Sequence, residues 1–182
     1  MAFTPKTVRE AILYEYAKLV ADAAVGGRPQ GKPHPRTGSE YWSFATSVFR
    51  KLNTEELSPS SLLRENKLLV STGQECAYCG AVGELQWEHL FPRSLGGPDT
   101  IDNLVLSCAP CNSKKGALNP VDWYWKRGIH RRSIPRLVMG KCLKLILTEH
   151  QRRGTLDAKE FPVGAGLHMA GVFRVFEPPV SE

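Results

Sequence analysis

The chain opens with apolar residues at helical spacing. Val8, Ile12, Tyr16, Leu19, Val20 and Ala23 share one face and predict a helix over residues 4–24. Thr4 is placed to cap it, Pro5 suits its first turn, and Gly26-Gly27 ends it. Residues 28–38 are rich in Pro, Gly, Arg and Lys and predict a loop. A second helix is expected over residues 41–52, with Trp42, Ala45, Val48, Phe49 and Leu52 inward. Ser58-Pro59 opens a third, covering Leu62, Leu63 and Leu69. Near the other end, Asn119-Pro120 starts a short helix carrying Val121, Trp123, Tyr124 and Trp125, with both tryptophans read as core. Residues 133–153 predict a longer helix, with Ile134, Leu137, Val138, Leu145 and Ile146 on its apolar side and Gly154 at its end. Val172 to Phe176 reads as a terminal edge strand.

The middle of the chain has a different rhythm. Residues 84–88 and 103–106 predict short strands, with Gly96-Gly97-Pro98-Asp99 in the turn region between them. Residues 109–115 predict a helix stopped by Gly116. The order strand, strand, helix, flanked by helices, makes the fold class α+β. Three parts are expected: a helical extension at 1–70, a central module at 71–128, and a basic helix with the terminal strand at 129–182. The outer helices would pack on a module too small to bury much by itself.

Cysteine usage changes the picture. Four of the five cysteines form two Cys-x-x-Cys knuckles, Cys76/Cys79 and Cys108/Cys111, separated by the 28 residues from Gly80 to Ser107. Each knuckle aims two sulfurs at one point, and four thiolates suit a closed tetrahedral zinc site. Such a site is structural, because it leaves no open position. Cys142 lies in a predicted helix among apolar residues and reads as a small hydrophobe.

The formal net charge of +6 and a pI near 9.2 favour a polyanionic partner. From Lys126 to Arg153 there are nine basic residues against the single acid Glu149, which predicts a phosphate-contacting face. No apolar run is long enough to span a membrane and no signal-peptide pattern is present, so a cytoplasmic protein is expected.

Between the knuckles lies a harder donor set. Glu88 and His89 end the first strand, where consecutive residues point to opposite faces and share one site only if the strand ends or twists. Asn112 follows a zinc ligand on the helix. Carboxylate and amide oxygens suit Mg²⁺ or Mn²⁺, and a neutral imidazole can take a proton from water. Trp87, on the opposite face of the strand from Glu88, reads as core.

This stretch resembles an HNH endonuclease of the ββα-metal superfamily. The resemblance runs from Cys76 to about Trp123. It rests on Glu88-His89, Phe91-Pro92-Arg93-Ser94, Gly96-Gly97, Asp102-Asn103-Leu104-Val105-Leu106, Cys108-Ala-Pro-Cys111-Asn112 and Lys115-Gly116. It implies metal-dependent hydrolysis of phosphodiester bonds in double-stranded DNA. His89 would be the general base, and Asn103 would hold the loop that carries it. Glu88 and Asn112 would bind a catalytic Mg²⁺ or Mn²⁺, and the four cysteines would hold the family's optional zinc. Two positions depart from the commoner pattern: Glu88 stands where Asp is more frequent, and Asn112 where His is.

Arg93, Lys114, Lys115, Arg131 and Arg132 are candidate nucleic-acid contacts. The sequence assigns no role to His34, His130, His150 or His168. Restriction, defence, and phage or mobile-element functions all use such a module, some with a protein partner. The alternative reading is a zinc-ribbon-like module that binds DNA or protein without cutting.

Overall fold

The computed structural model describes residues 3–25, 38–59 and 74–176. Helix α1, Val8–Ala24, starts at Thr7, whose hydroxyl accepts from the Glu10 amide at 3.2 Å. The cap is therefore Thr7 rather than Thr4, and Pro5 lies ahead of the helix. Helix α2, Ser39–Asn53, packs on α1. Its inward residues include Tyr41, whose hydroxyl donates to the Lys18 carbonyl at 3.2 Å. That contact turns Trp42, expected inward, to 38% exposure. The predicted third helix beyond Pro59 and most of the 28–38 loop lie outside the described residues.

Strand β1, Leu85–His89, pairs antiparallel with β2, Leu104–Cys108, in a two-stranded sheet. Leu85 faces Cys108, Trp87 faces Leu106, and His89 faces Leu104. Helix α3, Ala109–Lys115, follows β2 directly and ends at Gly116. The strand, strand, helix order and the α+β class stand as the sequence indicates. Helix α4, Pro120–Lys126, is capped by Asn119, which accepts from the Asp122 amide at 3.0 Å.

Helix α5, Arg136–Arg152, begins three residues later than predicted. Pro135 forces Ile134 into extended backbone (φ −62°, ψ 128°), so residues 131–133 form a separate 3-10 turn. The terminal segment is not a strand. Met169–Val172 forms a helical turn, α6, and Phe173–Phe176 a 3-10 turn. Val172, Phe173, Val175 and Phe176 are all buried around exposed Arg174, a pattern that suits a tight helical turn better than an alternating strand. His168 caps α6 by accepting from the Gly171 amide at 2.9 Å.

One buried cluster joins these elements. It takes Ile12 and Tyr16 from α1, Phe49 from α2, Leu90, Phe91 and Val105 from the hairpin, Trp123 from α4, and Val138 and Ile146 from α5. His150 belongs to this interior. It is fully buried, its Nε2 lies 3.0 Å from the Val172 carbonyl, and burial lowers its pKa. His130 caps the 3-10 turn at 131–133. Cys142 is buried, as expected of a small hydrophobe, and burial pushes its thiol pKa up.

The basic stretch at 126–153 is mostly spent on holding the fold. Lys141 donates to the Ile101 and Leu104 carbonyls, and Lys144 pairs with Asp102 at 2.9 Å. Both tie α5 to the start of β2. Arg152 and Arg153 pair with Glu149, and Arg131 reaches Glu15 at 2.9 Å. Five of the nine cations in this stretch thus face carboxylates or carbonyls, while Lys126, Arg127, Arg132 and Arg136 make no ion pair among the described residues.

Candidate active site and zinc centre

Each knuckle is built by local backbone geometry. In the first, the Gly80 amide donates to the Cys76 carbonyl at 2.8 Å, with Gly80 at φ +73°. The Cys76 amide donates to Ala81 at 2.8 Å, and the Ala77 amide reaches Leu106 on β2 at 2.8 Å. In the second, Cys108 ends β2 and Cys111 lies in the first turn of α3.

The four sulfurs lie within 4.8 Å of one another, and the Cys79 and Cys108 sulfurs are 3.8 Å apart. Zn–S bonds of about 2.3 Å arranged tetrahedrally put sulfurs about 3.8 Å apart. The donor set and its spacing therefore fit zinc. Burial raises the Cys76 pKa, but amide hydrogen bonds from Cys108, Cys79 and Tyr78 outweigh it and bring the thiol down to about 6, while burial and the neighbouring sulfurs push the Cys111 thiol up. A thiolate is the form that binds metal.

Both knuckles converge on Glu88. The Tyr78 hydroxyl, from the first knuckle, donates to one carboxylate oxygen at 2.6 Å. The Lys115 ammonium, from the helix that carries the second, pairs with the other oxygen. Lys115 also donates to the His89 carbonyl at 2.9 Å. Glu88 is 5% exposed and Lys115 1%. Burial, then the Glu88 charge, holds the Tyr78 pKa well above that of a free phenol. Lys115, expected on the DNA-facing surface, points inward because Glu88 needs a buried counter-charge.

His89 points the other way. As neighbours in an extended strand, Glu88 and His89 occupy opposite faces. The imidazole Nε2 lies 2.9 Å from Asp99 Oδ1, and the His89 side chain is 26% exposed. The His89 hydrogen bond, then the Arg93 charge, lowers the Asp99 pKa. Arg93 lies 3.5 Å from the other Asp99 oxygen. The sequence marks Asp99 only as a turn residue. The Gly-Gly-Pro-Asp turn offered the signal, since it returns the chain toward the end of β1.

The loop between His89 and Asp99 is clamped by Asn103. Its Oδ1 accepts from the Phe91 amide at 2.9 Å, and its Nδ2 donates to the Phe91 and Pro98 carbonyls, each at 2.8 Å. Asn103 is fully buried. Gly97 closes the same loop so tightly that a Cβ there would meet the Phe91 carbonyl oxygen at 1.9 Å.

Asn112 is half-buried on α3, and its side chain makes no hydrogen bond among the described residues. A divalent ion at Glu88 would have to compete with the contacts that Tyr78 and Lys115 make there. Both Glu88 oxygens are engaged, and the adjacent ammonium repels a second cation. Lys114 and Arg132 are exposed. Trp87 is 51% and Trp125 82% exposed, so neither is core, whereas Trp123 is 3% exposed and is. The hairpin is too small to cover its outer face, which leaves Trp87 in solvent.

Among the described residues no helix is long and apolar enough to cross a membrane. No curated protein and no solved structure matches the chain. A family match does exist, it supports nuclease-type function in general, and it covers both knuckles, Glu88, His89, Asn103 and Asn112: residues 76–118 match the HNH endonuclease family model.

Proposed function

We propose that the protein hydrolyses phosphodiester bonds in double-stranded DNA, with His89 as general base. The observation that carries this is the held imidazole. Asp99 accepts a hydrogen bond from Nε2–H, which fixes the tautomer and leaves the Nδ1 lone pair to take a proton from water. Asn103 makes the approach rigid by holding the backbone on both sides of the loop. Asp99 is a positioning residue in this scheme. Mg²⁺ or Mn²⁺ remains the ion that the family resemblance implies, with Glu88 and Asn112 as its ligands. It would supply charge stabilisation at the phosphate. No step here runs through it, because Glu88 is held by Lys115 and Tyr78.

The test is cleavage of supercoiled plasmid by the full chain with Mg²⁺ or Mn²⁺ added or omitted. Omission is preferable to chelation, since a chelator also takes zinc. His89→Ala is expected to slow cleavage by about 10²–10⁴-fold. Intact plasmid under every metal, or equal cutting by His89→Ala, removes the reading. Asp99→Ala should lower kcat roughly 10- to 100-fold with little change in KM, and Asp99→Asn, which keeps an acceptor, should recover part of it. Equal loss in both variants would argue against orientation by hydrogen bonding.

A second reading is favoured by the Glu88–Lys115 pair. A module that binds DNA or protein without cutting has no need of an open carboxylate. Unchanged binding on removal of Glu88, His89 and Asn112 side chains, with no cleavage by the parent, would select it.

A further inference from the structure

Three of the cations that remain after the structural pairs are removed lie together. Lys114 at the end of α3, and Lys126 and Arg127 at the end of α4, line one groove of about 560 Å³. No Asp or Glu lines it, and none of the three makes an ion pair among the described residues. Its wall is the buried Trp123, and the Arg127 guanidinium stacks over that indole at 5.2 Å from the ring centroid. Stacking limits the guanidinium's rotamers and leaves its N–H fork available to an oxyanion. Lys115 also lines the groove, while its ammonium reaches inward to the His89 carbonyl. One four-carbon stem thus separates the groove from the backbone of the candidate base.

We propose that this groove binds the phosphate backbone of duplex DNA flanking the bond to be cut. The proposal rests on the nuclease reading for its choice of partner. A duplex presents closely spaced, regular negative charge, which three unpaired cations on two short helix ends can follow without base contacts. The 126–153 stretch as a whole is not this surface, because most of its cations are engaged elsewhere. The groove takes Lys126 and Arg127 from that stretch and adds Lys114 from the HNH segment.

The test measures equilibrium binding of a labelled duplex of arbitrary sequence to full-length zinc-loaded protein, across a salt series. A His89→Ala background prevents cutting. Lys126→Glu/Arg127→Glu is compared with Arg50→Glu/Lys51→Glu, the same charge change at the exposed end of α2. The groove pair should weaken binding at least tenfold and reduce the slope of log K against log salt by about two. The α2 pair should change the slope little. Lys114→Gln provides a milder variant that keeps the folded backbone, with an expected slope change of about one. Equal effects of the two pairs would reduce the groove to net charge and overturn the proposal, as would an unchanged slope. Polyglutamate competing as well as duplex would overturn the choice of DNA. Cleavage by the parent is scored separately. Groove-dependent binding without cutting keeps the groove and removes the nuclease reading, and cutting with groove-independent binding does the reverse.

Discussion

Stripping the metal from the four cysteines should unfold the central segment and lower the melting temperature by roughly 10–20 °C. Structural zinc contributes on the order of 10 kcal/mol or more to small metal-folded units, comparable to the whole stability of a domain. Losing even half of that shifts the midpoint of a protein this size by roughly the range stated. The two knuckles have little else to hold them, since the sheet has only two strands of five residues each. The loss should spread, because Leu90, Phe91 and Val105 belong to the same buried cluster as α1 and α5. Zinc quantification with circular-dichroism melts, before and after a chelator, reads both quantities. One zinc per chain and a restored melt on adding zinc back are expected. Protein purified without metal that melts identically with and without chelator would show that the cysteines are not a zinc centre.

Lys115→Met should destabilise the protein by about 3–5 kcal/mol, the usual cost of removing one member of a buried ion pair. The substitution preserves the apolar stem and deletes only the charge. Glu88 would keep the Tyr78 hydroxyl but lose its counter-ion in a position 5% exposed. The loss should be largely recovered in Lys115→Met/Glu88→Gln, which removes both charges, so the two changes are strongly non-additive. Urea unfolding of the four proteins with zinc saturated gives the coupling directly. A single-mutant cost under about 1 kcal/mol would show that Glu88 leaves Lys115 easily and is open to a divalent ion.

The hairpin and α3 were legible because their punctuation is local. Gly116 stops the helix, Asn119 caps the next, and paired cysteines announce their own geometry. Val172–Phe176 forms helical turns where its pattern suggests a strand, because a short apolar run does not separate strand from turn. Trp42 and Trp87 were misread as inward because an aromatic residue carries no mark of which neighbour will cover it. Asp99 is illegible in the sequence because a carboxylate ten residues from a histidine has no signature until the loop closes on Asn103 and Gly97.

The sequence by itself determined the four-cysteine donor set, the order of the central elements and the residues that end them. Those properties depend on residue type and short spacing alone. Only the tertiary structure decided which charges are free. Lys115, Lys141, Lys144 and Arg131 are indistinguishable from Lys126 or Arg127 in composition. What separates them is whether packing brings a carboxylate or carbonyl within reach of the side chain's end. The same long-range placement turned Glu88 inward to Lys115 and His89 outward to Asp99, although the two residues are adjacent in the chain.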